Sequence, residues 1–150
     1  MRNMKKIFVL FLALICLSVA ACTVNTSMSY TYNVETGDAI TVKLNTADGY
    51  GITSELPFTV TKGGETVGQG YFITEETYQT YVSSLSGMEG AKVIGTGERA
   101  DIEYIFWCYN DTEYNYAVLV KGSKTGAVVG NNISQASAEE CMGRLTFSKE

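Results

Sequence analysis

Residues 102–120 read IEYIFWCYNDTEYNYAVLV, and this stretch indicates the fold more clearly than any other part of the chain. Two runs rich in aromatic and β-branched residues, 102–109 and 114–120, flank the polar segment Asn110-Asp111-Thr112-Glu113. Such runs are typical of strands, and a short polar segment between them is typical of a hairpin loop. The stretch therefore predicts an antiparallel hairpin inside a β-sheet.

The side chains of this hairpin divide between two faces, because successive strand residues point to opposite sides. If the four-residue loop pairs Tyr109 with Tyr114, Trp107 faces Tyr116 and these four rings share one face. Both faces are then apolar, as expected of a hairpin covered on two sides. The opposite face would carry Tyr104, Phe106, Cys108, Ala117 and Leu119.

The aromatic face formed by Trp107, Tyr109, Tyr114 and Tyr116 has two interpretations. Large exposed apolar patches mark binding sites, and aromatic rings stack well on sugars. Cross-strand aromatic pairs also stabilise sheets from within the core. We expect the second role, with Trp107 and Tyr116 largely buried; a ligand site would require the helices to pack on the other face.

Shorter strands with turn residues between them are predicted on both sides of the hairpin. Glycine-containing turns are expected around Gly37, at Gly63-Gly64, at Gly95–Gly97 and around Gly122. The two glycines at 63 and 64 suit the positive φ angles of a tight hairpin turn. The strands themselves are predicted at 30–34, 40–44, 58–60, 67–73, 91–94 and 127–129.

Two helices are predicted from capping residues and from apolar residues at helical spacing. The first follows Thr74 as N-cap and should end at Gly87; its apolar face comprises Tyr78, Tyr81, Val82 and Leu85. The second should begin after Ser137, which forms a capping box with Glu140. Its buried stripe comprises Ala138, Cys141, Met142 and Leu145, and residues 146–150 are expected to be a short tail.

The predicted order is four strands, a helix, about four strands and a helix. Strands joined by tight turns must be antiparallel, so the fold class is α+β, a mostly antiparallel β-sheet with two helices packed on it. In this element order, residues 29–149 resemble the PsbP/Mog1-like α/β sandwiches and the small lipoproteins of Firmicutes. Neither resemblance implies a chemistry or a set of site residues.

The N-terminus has the features of a secretory signal peptide: basic residues at 2, 5 and 6, an apolar run over 7–17, and small residues after it. Val19-Ala20-Ala21-Cys22 resembles the lipobox of bacterial lipoprotein precursors. The resemblance implies that residues 1–21 are removed and that the Cys22 thiol carries a diacylglycerol. Residues 22–28 would then be a short tether and 29–150 a single domain, extracytoplasmic and anchored by lipid to a bacterial membrane.

The charge of the chain narrows the classes of partner and chemistry. Without the three basic residues of the signal, 8 Lys and Arg remain against 16 Asp and Glu, a formal charge of −8. Phosphate backbones repel such a domain, so nucleic-acid binding is not expected.

The chain contains no histidine, so His-based catalysis and His metal sites are excluded, and we expect neither metal nor cofactor. Asp101 and Glu103 are candidate catalytic carboxylates, but acidic residues that flank a strand are usually solvated.

Two cysteines stay available once Cys16 is removed and Cys22 is acylated. Cys108 and Cys141 could form a disulfide in an extracytoplasmic compartment. Alternatively both are buried thiols that pack as small apolar side chains.

These observations predict a non-catalytic lipoprotein domain that binds a partner protein or an envelope component. The alternative is a carbohydrate-binding or small-ligand-binding lipoprotein that uses Trp107, Tyr109, Tyr114 and Tyr116. A carboxylate-based hydrolase is the least expected class.

Overall fold

The computed structural model describes residues 26–150. Within this range the chain forms ten strands and the helices α1 (Glu75–Ser84) and α2 (Gln135–Arg144), so the predicted α+β class is confirmed. The strand β1 begins at Ser27, so the last two residues assigned to the tether lie in a sheet. The strands are β1 (Ser27–Asn33), β2 (Ala39–Asn45), β3 (Tyr50–Ile52), β4 (Phe58–Lys62), β5 (Glu65–Thr74), β6 (Ala91–Arg99), β7 (Ile102–Tyr109), β8 (Glu113–Val120), β9 (Thr125–Asn131) and β10 (Leu145–Lys149).

Seven of the strands form one antiparallel sheet in the order β3-β4-β5-β9-β8-β7-β6. The predicted hairpin is β7 and β8, and β6 and β9 flank it. Neighbours in the sheet are mostly neighbours in sequence, as is usual for strands joined by tight turns. The one long connection runs from β5 through α1 to β6 at the far edge.

The remaining strands form a small antiparallel sheet in the order β1-β2-β10. The prediction of a tail at 146–150 is therefore wrong, because Leu145–Lys149 pairs with β2. Leu145 and Phe147 are buried while Thr146 is exposed, which is strand alternation. Five residues directly after a helix gave too short a pattern for this alternation to be recognised.

The two sheets and the two helices form three layers. The small sheet and α2 cover one face of the seven-stranded sheet and enclose the larger apolar core, which includes Phe58, Val118 and Met142. On the opposite face, α1 covers a smaller core that includes Trp107 and Ile105. No helix in the described range is long and apolar enough to span a bilayer.

The helix α1 begins as predicted. The Thr74 hydroxyl accepts a hydrogen bond from the Thr77 backbone N–H at 3.2 Å, which satisfies one of the unpaired donors at the helix start. Tyr78 and Leu85 are buried, whereas Val82 is 43% exposed. The buried face is therefore narrower than the predicted one.

The helix α2 begins earlier than predicted. Its N-cap is Ser134, whose hydroxyl accepts from the Ser137 N–H at 3.1 Å. Ser137 lies inside the helix, where its hydroxyl accepts from Asn131 Nδ2 at 2.9 Å, so the predicted capping box with Glu140 is wrong. The buried stripe is confirmed, and Arg99 Nη2 donates to the carbonyl of Met142 at 2.7 Å near the helix end.

The strand β6 runs through the predicted turn at Gly95–Gly97 and ends at Arg99. Both glycines pair with β7 as strand residues. A bulge lies between Val93 and Gly95, and the Tyr104 ring covers Gly97. A Cβ on Gly97 would lie 3.1 Å from the Tyr104 hydroxyl. A glycine inside a strand often marks such a bulge or close approach rather than a turn.

Candidate functional site

Trp107, the central residue of the predicted aromatic face, lies in the core beneath α1. It is 5% exposed, and its ring stacks on Tyr81 of α1 with 5.1 Å between centroids. The expectation that Trp107 is buried is therefore confirmed, and its ring is closed to a ligand.

Tyr109 shares the face of Trp107 and packs against the same core, partly buried. Tyr114 and Tyr116 do not join them, because the predicted register of the hairpin is wrong by one residue. Tyr109 pairs with Glu113, so Tyr114 and Tyr116 point to the face opposite Trp107. A slip of one residue reverses the face of every side chain on one strand. Asn110 and Asp111 have positive φ angles, which allow a turn one residue tighter than assumed.

Tyr116 lies at the border of the larger core rather than in a binding surface. Its ring stacks on Phe106 with 4.0 Å between centroids and 5° between planes. Burial raises the pKa of Tyr116 to about 12. The side chain is only partly buried, which is less than expected.

Cys108 and Cys141 are both buried free thiols, which agrees with the second of the two alternatives and not with a disulfide. Cys108 of β7 pairs with Tyr114 of β8, and Tyr114 pairs with Asn131 of β9. Cys141 lies over Gly68 of β5, the next strand, so three strand spacings separate Cys108 from the strand beneath Cys141. Three spacings are about 14 Å, while bridged Cα atoms lie within about 7 Å. Burial raises the pKa of Cys141 to about 12, which keeps this thiol protonated and unreactive.

The candidate carboxylates do not form a paired site. Asp101 lies in the turn between β6 and β7, while Glu103 is on β7, so the two do not share a strand face. Glu103 lies near Tyr78 of α1 and contributes, after burial, to the raised pKa of that tyrosine. Residues 26–150 contain no group of three Cys, Asp or Glu side chains placed to hold a metal ion.

A groove of about 310 Å³ lies beside α1 on the face that α1 covers only in part. Its floor is the cross-strand row of Gln69, Gly130 and Asn115, in which Gly130 pairs with both amide residues. Because Gly130 has no side chain, the row is low at its centre; a Cβ there would lie 3.1 Å from Asn115 Oδ1. We call this the amide groove.

The walls of the amide groove are Tyr71 on one side and the loop residues Asn132 and Ile133 on the other. Asn131 fixes this loop, since its Oδ1 accepts from the Ile133 N–H at 2.8 Å and its Nδ2 donates to Val67 O. Ile133 is 58% exposed. None of the residues that line the groove is charged, so it suits a neutral ligand that offers hydroxyl or amide groups.

A second groove, of about 330 Å³, lies where the turn between β1 and β2 approaches the end of β5. Its lining includes Val34, Glu35, Leu56 and Phe72, and Leu56 is 52% exposed. Tyr71 lines this groove as well as the amide groove, so the two adjoin at this residue. We call the second one the edge groove.

Asp38 fixes the turn that forms one wall of the edge groove. Its carboxylate accepts from the Lys124 N–H at 2.8 Å and from the Thr125 hydroxyl at 2.9 Å, and it pairs with Lys149 at 2.9 Å. The hydrogen bond from Lys149 is the largest cause that lowers the pKa of Asp38 to about 2, followed by those from Lys124 and Thr125. These contacts therefore fix the turn, and with it this wall of the edge groove, before any ligand binds.

Sequence reasoning missed the residues of both grooves. Gln69 and Asn115 stand as polar residues within apolar strands, and Gly68, Gly70 and Gly130 leave β5 and β9 without side chains beside them. Polar residues next to glycines in a strand are a signal of a surface depression. The register that brings Gln69, Gly130 and Asn115 into one row cannot be read from the separate strands.

Cys22 and the rest of the lipobox lie outside the described residues. No family model matches the chain, and neither the curated proteins nor the solved structures include a significant match to it. The fold and the two grooves therefore provide the structural basis for assigning a function.

Proposed function

We propose that this protein is a non-catalytic, extracytoplasmic binding domain, anchored by lipid at Cys22 to a bacterial membrane, that binds a partner protein or another envelope component. The observation that carries the proposal is the pair of adjoining grooves on either side of Tyr71. Grooves of a few hundred Å³ with a few polar groups are typical ligand sites. Their linings supply a single carboxylate, that of Glu35, which leaves acid–base catalysis without a paired group.

The proposed anchor follows from the lipobox resemblance. Two or more acyl chains hold a protein stably at a bilayer, because each buried CH₂ contributes about 0.8 kcal/mol. The formal charge of −8 disfavours electrostatic attraction to anionic lipids, so the lipid would supply the attachment.

The anchor is tested by membrane fractionation with metabolic lipid labelling of the wild type and of Cys22→Ser. The wild type should carry label and sediment with membranes, and the variant should be unlabelled and either unprocessed or soluble. Equal labelling of both would contradict the proposal, because a thioether cannot form without the sulfur.

Carbohydrate binding is a second candidate, and the neutral lining of the amide groove favours it. Amide side chains donate to and accept from sugar hydroxyls, and Tyr71 offers a ring for stacking. The residues proposed here are Gln69, Tyr71 and Asn115, not the predicted set of Trp107, Tyr109, Tyr114 and Tyr116.

The binding proposal is tested by titrating the mature lipoprotein in nanodiscs with defined cell-wall glycan fragments and cell-wall peptides, with NMR detection of side-chain amides. A ligand of the amide groove should shift the Gln69 and Asn115 signals. Gln69→Ala should weaken binding about three- to tenfold, as expected for one lost hydrogen bond. Gln79→Ala, at an exposed position on α1, is the matched control and should bind like the wild type. Ligand-induced shifts that lie outside both grooves would reject the grooves as the binding site.

A further inference from the structure

The strand β5 extends beyond its neighbour β4. Pairing between them ends with Phe58 opposite Gly70, so residues 71–74 of β5 have β9 on one side and no paired strand from the described range on the other. At about 3.3 Å per residue this open edge is about 13 Å long. It is one side of the edge groove.

The direction of the main-chain groups on this edge follows from the pairing with β9. The Glu75 N–H donates to the Lys124 carbonyl at 2.9 Å, in the same register that pairs Thr74 with Thr125. Hydrogen-bonded pairs alternate along an antiparallel ladder, so Tyr71 and Ile73 also bond to β9. The N–H and C=O of Phe72 therefore point the other way, into the edge groove.

Within the described residues, no strand lies opposite Phe72 on the free side of β5. If β4 continued backward in register it would place Leu56 there, but Leu56 lies in the loop before β4. The structure gives Phe72 no main-chain partner on this side among residues 26–150. Paired backbone groups are the rule in folded proteins, so an exposed strand edge readily accepts another strand.

The side chains around the edge suit a peptide rather than a sugar. Val34, Leu56 and Phe72 supply apolar contacts beside the open main-chain groups. Glu35 is the charged residue of the lining, and the domain as a whole carries a formal charge of −8 after processing. Alternating apolar residues with basic flanks would complement this surface.

We propose that the edge groove binds an extended, basic segment of a partner protein, which adds as a strand to the free edge of β5 and hydrogen-bonds to the main chain of Phe72. In such strand addition the main chain supplies affinity and the alternate side-chain pockets supply specificity. The inference rests on the proposed binding function and names the class of partner.

The test uses the mature lipoprotein in nanodiscs and a displayed library of random, unconstrained octapeptides. Selected peptides should alternate apolar residues, carry Lys or Arg at their ends, and bind more weakly as salt is added. N-methylation of the tightest peptide should abolish binding at every second residue of its central part and be tolerated at the residues between, because only alternate N–H groups face β5. Tolerance of N-methylation at every position would overturn strand addition.

Hydrogen exchange of the Phe72 amide, measured by NMR, reports on the proposed hydrogen bond directly. In the free protein this amide should exchange much faster than those of Tyr71 and Ile73, and the bound peptide should slow it about tenfold or more. An amide that is already protected in the free protein, or that stays fast when the peptide is bound, would overturn the inference.

A matched pair of substitutions locates the site. Leu56→Asp should weaken the peptide about tenfold or more, because it places a carboxylate where an apolar side chain is to be buried. Val82→Asp adds the same charge at an exposed apolar position on α1 and should change affinity by less than about twofold. Equal effects of the two variants would overturn the site.

The results also separate this inference from the proposed function. A selection that yields no peptide overturns the inference, and glycan or peptide binding in the amide groove would still support the binding function. A selected peptide that shifts the Gln69 and Asn115 signals without protecting the Phe72 amide would likewise overturn the inference and support the binding function. If neither groove binds glycan, cell-wall peptide or library peptide, both proposals fail.

Discussion

Gly70→Ala should destabilise the domain severely, although it adds only one methyl group. A Cβ on Gly70 would lie 2.1–2.7 Å from three ring carbons of Phe58. Carbon atoms pack at about 3.5–4.0 Å, so the ring would have to move by roughly 1 Å or more. Phe58 is fully buried, and the rings of Tyr32, Phe72 and Phe147 lie 6.3–6.4 Å from it. Because these rings leave no direction for the movement, we expect the upper end of the overpacking range, about 3 kcal/mol.

The assay is urea unfolding of the chain from residue 22 with Cys22→Ser, followed by Trp107 fluorescence and by circular dichroism. Gly143→Ala is the control: it lies in α2 with nothing within 4 Å of the added Cβ, and should stabilise by about 0.5–1 kcal/mol through helix propensity. Phe58→Leu should relieve the clash, so the double variant should lose at least about 1 kcal/mol less than the sum of the single losses.

Two results would refute this reasoning. The first is a Gly70→Ala variant within about 0.5 kcal/mol of the wild type, which is the range of neutral surface substitutions. The second is additivity of Gly70→Ala and Phe58→Leu, which would place the ring away from the glycine.

Three further predictions follow from buried or hydrogen-bonded groups. Trp107→Ala should lower the free energy of unfolding by about 3–5 kcal/mol in urea melts, and a loss below about 1 kcal/mol would mean that the ring is not packed beneath α1. The pKa of Asp38 is about 2 when folded and about 3.9 when unfolded, so the unfolded state binds more protons between these values and stability should fall as pH drops from about 4.5 to 2. Urea midpoints across that window should depend less on pH in Asp38→Asn than in the wild type or in the exposed control Asp101→Asn; equal dependence would show that the Asp38 contacts do not form. Ellman's reagent without reductant should detect no accessible thiol among Cys108 and Cys141 in the folded chain and two after unfolding, whereas none after unfolding would show a disulfide.

Local patterns predicted the elements of this fold because each pattern reports an interaction within a few residues. Thr74 could be recognised as a cap from its type and position, and the Gly63-Gly64 turn from the φ angles that it requires. Ser134 and Ser137 show the limit of such patterns: both fit a cap, and the hydrogen bond from Asn131 to Ser137 decides between them. Asn131 Nδ2 also donates to the Val67 carbonyl, 64 residues earlier in the chain, and no local pattern reports such a contact.

The site could not be predicted because it depends on register. Tyr114 and Tyr116 were assigned to the Trp107 face on the assumption of a loop one residue longer than the real one. One residue changes which side chains share a face, and therefore whether four rings form a binding surface. The same dependence hid the row of Gln69 and Asn115, which are adjacent only through the pairing of two strands with β9.

Trp107 still contributes to the site, but as a support for another residue. Its ring stacks on Tyr81, and the nearby Tyr81 adds to burial in raising the pKa of Tyr71 to about 12. A contiguous set of rings thus leads from the core beneath α1 to the residue that the two grooves share. Tyr71 is half-exposed on a strand that pairs with β9 on one side, and Tyr81 lies beside it. The residue that the amide groove and the edge groove share is therefore supported by the same packing that makes Trp107 unavailable to a ligand.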